Sequence, residues 1–275
     1  MRIDAHQHFW DLQRFPYPWM SMDQTVLRRN YFPDDLEPIL ELNRFDGSIA
    51  VQATMHEKEV WWLLDLARRH ESILGVVGWV DLTAPDLQTK LKRLAQERRF
   101  KGVRHPVHDE ADERWLVRPD VIRGLQEVAR HGLPYDLLLR PQHLPLVPEL
   151  AAQVPDLVLV LDHIGKPDTT NHQWDDWATS IEQLAVLPQL NVKLSGLISE
   201  AGRDWTAEQL RPYVQHVLSC FGPERCMFGS DWPVCLQAGT WKESLAAFTQ
   251  AIGAQSMETR EHLLGATARR VYRLD

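Results

Sequence analysis

The chain has 275 residues, 44% hydrophobic and 25% charged, and its 30 Lys plus Arg against 38 Asp plus Glu give a formal net charge of −8. That length buries a substantial core without disulfides or structural metals, and the acidic balance argues against nucleic acid or an anionic membrane as the main partner. Three cysteines (Cys220, Cys226, Cys235) without C-x-x-C spacing fit a reducing compartment, and no apolar run reaches about 18 residues, so a soluble, cytoplasmic protein is expected.

The chain opens MRIDAHQHFW. In an extended segment side chains two apart share a face, so His6 and His8 aim at one spot, as a metal ion or a proton-transfer site requires. A polar tail with chance histidines is the plain alternative. Residues 9–38 follow, rich in aromatics (Trp10, Tyr17, Trp19, Tyr31) and prolines (Pro16, Pro18, Pro33, Pro38). They read as a long first loop covering a site, or as an aromatic pad. Short apolar runs then recur at 47–54, 73–80, 100–104, 135–140, 157–165, 191–196 and 226–231. Several are apolar almost throughout, as strands buried on both faces of a parallel sheet are. Helical stretches lie between them. Residues 59–70 carry apolar positions at helical spacing and a basic last turn, and 84–98 have Pro85 and Asp86 at their start. Residues 118–132 and 240–253 each end in glycine. Strands alternating with helices predict one α/β domain over 1–275, a (β/α)8 TIM-like barrel. An open doubly wound sheet is the alternative, but no strand-to-helix turn carries G-x-G-x-x-G or a P-loop.

In such barrels chemistry gathers at the C-terminal ends of the strands. Strand one ends in His6 and His8, strand two runs into Gln52, His56 and Glu57, and strand four into Arg104 and His105. Strand five ends in Arg140 with His143 beyond it, and strand six in Asp162 and His163 with Lys166 following. Strand seven carries Lys193 and Ser195, and strand eight ends in Asp231 and Trp232. Any one of these is an ordinary loop residue on its own. Together they form a ring of functional groups at one end of the barrel.

The segments DAHQHFW, GVRHP, LDHIGKP, KLSG and FGSDWPV, in that order, resemble the amidohydrolase superfamily. The closer likeness is to its amidohydrolase-2-type sugar lactonases, of the fucono- and rhamnono-lactonase kind. It spans nearly the whole chain, to GATARRVYRL. H-x-H alone is a weak signal; HIGKP followed by GSDWP is specific. The resemblance implies a barrel that hydrolyses sugar-acid lactones, with Asp231 activating water. Binuclear members of the superfamily place a carboxylated lysine or a glutamate at the end of strand four and histidines at the ends of strands five and six. Here strand four ends in Arg104 and His105, and strand five in Arg140, unless His143 bends back. A two-metal site is not expected. One divalent ion such as zinc on His6, His8 and Asp231, with His163 as a further candidate, is left open and is not expected to be essential.

Lactone hydrolysis needs an activated water, a home for the oxyanion and a proton for the leaving ring oxygen. Asp231 is the expected base, and its carboxyl, ordinarily near pKa ~4, would have to be tuned upward. His163 is the leading proton donor, with His56 and His105 as alternatives. Arg104, Arg140, Lys166 and Lys193 are expected to stabilise the carbonyl oxygen or grip hydroxyls, although Gly165 and Pro167 give Lys166 a structural alternative at a turn. His56, Glu57, Trp19 and Trp232 complete the expected substrate contacts, with Trp61 a weaker stacking candidate. Ser195 lacks a surrounding G-x-S-x-G, against covalent serine catalysis. The expected partner is a small-molecule sugar lactone, with no nucleic acid and no membrane; homo-oligomerisation is left open. Two rivals stand beside this reading: a metal-dependent decarboxylase or hydratase of the same superfamily, and a non-catalytic barrel that binds a sugar acid.

Overall fold

The computed structural model describes residues 1–171 and 174–275. Eight parallel strands follow one another in chain order around a barrel: β1 (Ile3–Gln7), β2 (Gly47–Val51), β3 (Ile73–Gly78), β4 (Phe100–His105), β5 (Tyr135–Leu137), β6 (Leu159–Leu161), β7 (Leu190–Leu194) and β8 (Cys226–Phe228). The ring closes just past β8, where Asp231 N donates to His6 O (2.8 Å) and His8 N to Trp232 O (2.7 Å). This is the (β/α)8 architecture, with helices as the outer layer. Among the described residues no helix is long and apolar enough to cross a membrane.

The barrel interior is built in two levels. At the bottom, Ile3, Ala5, Ile49, Val51, Val77, Val160 and Met227 pack against Ala268, Val271, Tyr272 and Leu274 of the C-terminal segment. Small and β-branched side chains suit a barrel lumen, because they fill it without distorting the pleat. The upper level is polar. The switch is made in β1, where Asp4 pairs Ser48 but Gln7 pairs Ala50, so β1 holds one extra residue. Such a bulge resets the in–out alternation. Asp4 therefore faces the helix layer, accepting from Trp241 Nε1 (2.8 Å), while His6 and His8 both enter the lumen side with their Nε2 atoms 3.2 Å apart.

Six strands, β5, β6 and β8 among them, end before the apolar runs that predict them. β5, β6 and β8 stop at Leu137, Leu161 and Phe228, and the rest of each run leaves the sheet to form the barrel mouth. After β6 the chain turns through Asp162–Gly165, with His163 and Ile164 at φ 53° and 49°. The first loop is also shorter than the predicted 9–38. A helix begins inside it, over Pro33–Leu42, started by Pro33 and by the Asp35 carboxylate accepting from Phe32 N (2.9 Å). Residues 8–32 form the loop itself, folded around Trp10, whose indole N–H donates to Leu27 O (3.2 Å) and Arg29 O (2.8 Å).

Candidate active site

Four of the predicted site residues meet at the mouth of the barrel. Asp231 Oδ1 lies 3.6 Å from His8 Nε2, 3.8 Å from His6 Nε2 and 4.0 Å from His163 Nε2. Each imidazole is held from behind. His8 Nδ1 donates to Val51 O (2.8 Å), which leaves its Nε2 as a lone pair. His163 Nδ1 is 3.0 Å from Ser195 Oγ, and His6 Nδ1 sits between Asp162 Oδ1 (3.3 Å) and Lys193 Nζ (3.2 Å). Ser199 Oγ donates to the other carboxylate oxygen of Asp231 (2.6 Å).

The electrostatics differ from the expectation for Asp231. Burial acts to raise its carboxyl, but the pull of the surrounding imidazoles, His163 first and then His6 and His8, outweighs that and holds it well below the usual carboxylate range. Asp231 is therefore ionised at neutral pH, not tuned upward. Burial also lowers His6 and His163, which favours their neutral forms. The result is a set of acceptors pointed at one another. Two imidazole nitrogens 3.2 Å apart require a proton or a metal between them. The 3.6–4.0 Å separations from Asp231 are too long for hydrogen bonds, yet four ligands about 2 Å from one ion span such distances. The donor set thus fits a single divalent ion. His6, His8 and Asp231, the set expected from the sequence, have ligand atoms within 3.8 Å of one another, and His6, His163 and Asp231 form a second set within 4.8 Å, so His163 is a further ligand candidate.

A cavity of about 480 Å³ opens above this cluster, lined among others by His8, Trp19, Gln52, Arg104, His163, Lys166 and Asp231. Trp19 is fixed by its indole N–H on Ala53 O (2.6 Å), and Lys166 by an ion pair with Glu200 (2.6 Å). Arg104 is buried, with Nη1 on Asp162 Oδ2 (3.1 Å) and Nη2 on Gln52 O (2.6 Å).

Other predicted residues lie elsewhere. Trp232 is 2% exposed and packs edge-to-face on Phe9 and Tyr31, because the chain beyond β8 turns its ring back under the first loop. It does not line the cavity. Arg140 is exposed, on an outer depression, since β5 ends three residues before it. His56 caps the helix Glu57–Arg69 by accepting from Lys58 N (3.2 Å), and Glu57 is exposed and paired with Lys90. Lys193 is fully buried below the cluster, paired with Asp136 and Asp162, and cannot meet a substrate. His105 is stacked on Trp115 and bonded to Glu110 (2.7 Å). His143 does not bend back; its Nδ1 accepts from Arg140 N (3.2 Å). Sequence reasoning missed Ser199, which bonds Asp231, His108, which lines the cavity, and Asp136, which pairs with Lys193. Asp136 had a signal, an acid inside the apolar run YDLLLR, whereas Ser199 comes from a short helix with none.

The amidohydrolase family model matches residues 3–274. The chain belongs to the amidohydrolase family. The L-fucono-1,5-lactonase of Burkholderia multivorans is 39% identical to this amidohydrolase over 290 residues, covering 100% of this chain and 96% of its own. The L-fucono-1,5-lactonase of Burkholderia ambifaria is 36% identical over 238 residues, covering 86% and 82%. The crystal structure of an amidohydrolase from Burkholderia multivorans with bound zinc superposes with a TM-score of 0.92 at 38% identity, over 100% of both chains.

Proposed function

We propose that this amidohydrolase is a lactonase that opens sugar-acid lactones of the fucono-, galactono- or rhamnono-lactone type, with Asp231 receiving the proton of the attacking water. The observation that supports this most is the ionised Asp231 among three imidazoles at the floor of a cavity sized for a small ligand. The likeness to two proteins named L-fucono-1,5-lactonase supports the substrate class.

In this reading the water oxygen bonds to the lactone carbonyl carbon while one water proton passes to Asp231, and the carbonyl π pair moves onto its oxygen. The tetrahedral intermediate re-forms the C=O bond and expels the ring oxygen, which takes up that proton and becomes the hydroxyl of the open hydroxy acid. His163, tethered to Ser195 and facing Asp231, carries the proton between the two. Ser199 keeps the Asp231 carboxylate from rotating. Trp19 and Lys166 are the substrate-holding groups on the walls. A single zinc ion held by His6, His8 and Asp231 would supply a Lewis acid for the carbonyl oxygen and leave His163 to the proton.

The test is proton release on a panel of fucono-, galactono-, rhamnono- and glucono-lactones, by wild type and Asp231→Asn, before and after exhaustive chelation. We expect activity that survives chelation and falls about 10²–10⁴-fold in Asp231→Asn, the range for loss of a general base. Activity abolished by chelation and restored by zinc would make the metal essential. No activity on any lactone would overturn the reading.

A further inference from the structure

We propose that the side-chain amide of Gln52 is the donor that receives the lactone carbonyl oxygen as it becomes an oxyanion, and that Arg104 acts by aiming this amide. The proposal rests on the lactonase reading. Gln52 follows the last residue of β2, lines the cavity and is only 2% exposed. Its Oε1 accepts from Arg104 Nη2 (3.1 Å), and its main-chain oxygen accepts from the same nitrogen (2.6 Å). A guanidinium only donates, so the oxygen of the amide, and not the nitrogen, must face it. The NH2 group is thereby turned away from Arg104, and among the described residues it has no hydrogen-bond partner.

A buried amide with both N–H groups unmet is rare in a folded protein and calls for an acceptor. Among the described residues the lumen wall supplies none, and the cavity that Gln52 lines is where a ligand oxygen would come. Position supports the same reading. Arg104 Nη1 lies 3.4 Å from His6 Nε2, so the guanidinium spans the gap between the Asp231 cluster and Gln52. The preceding carbonyl, Val51 O, holds His8. One stretch of backbone therefore sets both an imidazole of the cluster and the free amide. Arg104 itself has both terminal nitrogens committed to Asp162, His6 and Gln52 and only its single Nε–H unmet, so the Gln52 amide, with two unmet N–H groups, is the larger donor at this wall.

Two variants separate donation from support of Arg104. Gln52→Glu keeps an oxygen for Arg104 and removes both N–H groups; Gln52→Met removes the donor and the acceptor together. Steady-state kinetics on the best lactone, with a thermal melt of each protein, is the experiment. The expected result is a kcat about 10²–10³-fold lower in both variants, as when one oxyanion donor is lost, with KM for Gln52→Met within threefold of wild type. If Gln52→Glu keeps wild-type kcat while Gln52→Met loses it, Gln52 serves only to hold Arg104 and the proposal fails alone. A wild type inert on every lactone overturns the lactonase reading and this assignment with it.

Discussion

Glu59 is buried in the first turn of the helix behind the cavity wall, with its carboxyl accepting from Ala53 N (3.1 Å) and Thr54 N (3.4 Å). Burial pushes that carboxyl up, and the two amides and Arg104 draw it only part of the way back, to about 8. Between the usual carboxylate range and about pH 8 the folded protein thus holds a proton that the unfolded chain has released. Since the folded state binds more protons there, stability falls as pH rises through that window. Glu59→Gln mimics the protonated form. We expect its melting temperature to track wild type near pH 5 and to exceed it increasingly towards pH 8.5; parallel curves would remove Glu59 as the source. Nothing in the sequence marks this residue, because a glutamate in the first turn of an amphipathic helix ordinarily faces solvent. His6, His8, His163 and Asp231 were legible for the opposite reason: each stands at the end of a strand run, where a barrel gathers its chemistry. Lys193 also stands at a strand end and was misread, since strand position does not tell whether a side chain rises into the cavity or sinks beneath it.

At the level of elements, all eight strands were legible from apolar runs, and their ends were not. In β5, β6 and β8 the run continues past the sheet because the residues that follow are buried too, in turns that form the mouth: Leu138 and Leu139, Ile164, and Ser230 are as buried as strand residues. Hydrophobicity reports burial, and only backbone pairing separates strand from turn. The first loop shows the same limit, since Pro33 reads as loop punctuation although it is the first residue of a helix. What the aromatic content of that loop did convey is its contact with the site. Trp19 lines the cavity and ties the loop to Ala53, beside the amide bonded by Glu59. Trp19→Ala is expected to raise KM about tenfold with a smaller change in kcat, and Trp19→Phe, which keeps a ring but loses the bond to Ala53, to fall between, a hydrogen bond of about 1 kcal/mol being worth roughly fivefold. Equal KM values for all three proteins would reduce Trp19 to packing.

Across the whole molecule the active end and the closed end of the barrel are joined through its axis. Tyr272, near the C-terminus, donates its hydroxyl to Asp136 (2.9 Å); Asp136 pairs with Lys193; Lys193 reaches Asp162 (3.1 Å); and Asp162 holds both His6 and Arg104. Every member of this column except the rim of Arg104 is buried to within 1% of full enclosure. Ions so far from water are stable only as a balanced set, because removing one partner leaves its neighbour charged in a medium that cannot solvate it. Burial already pushes the Asp136 carboxyl up to about 6 despite the pull of Lys193. Lys193→Met should therefore cost about 3–5 kcal/mol of stability, the usual penalty for breaking a buried pair. Combining it with Asp136→Leu removes the stranded carboxylate and fills the space with apolar atoms, so the double variant should be more stable than Lys193→Met alone. Denaturant unfolding of wild type, both single variants and the double variant measures the coupling directly. Additive losses would mean that the two residues act independently, and that His6 is held by Asp162 without support from the bottom of the barrel. A double variant that regains stability but not lactone turnover would show that the column also sets the position of His6.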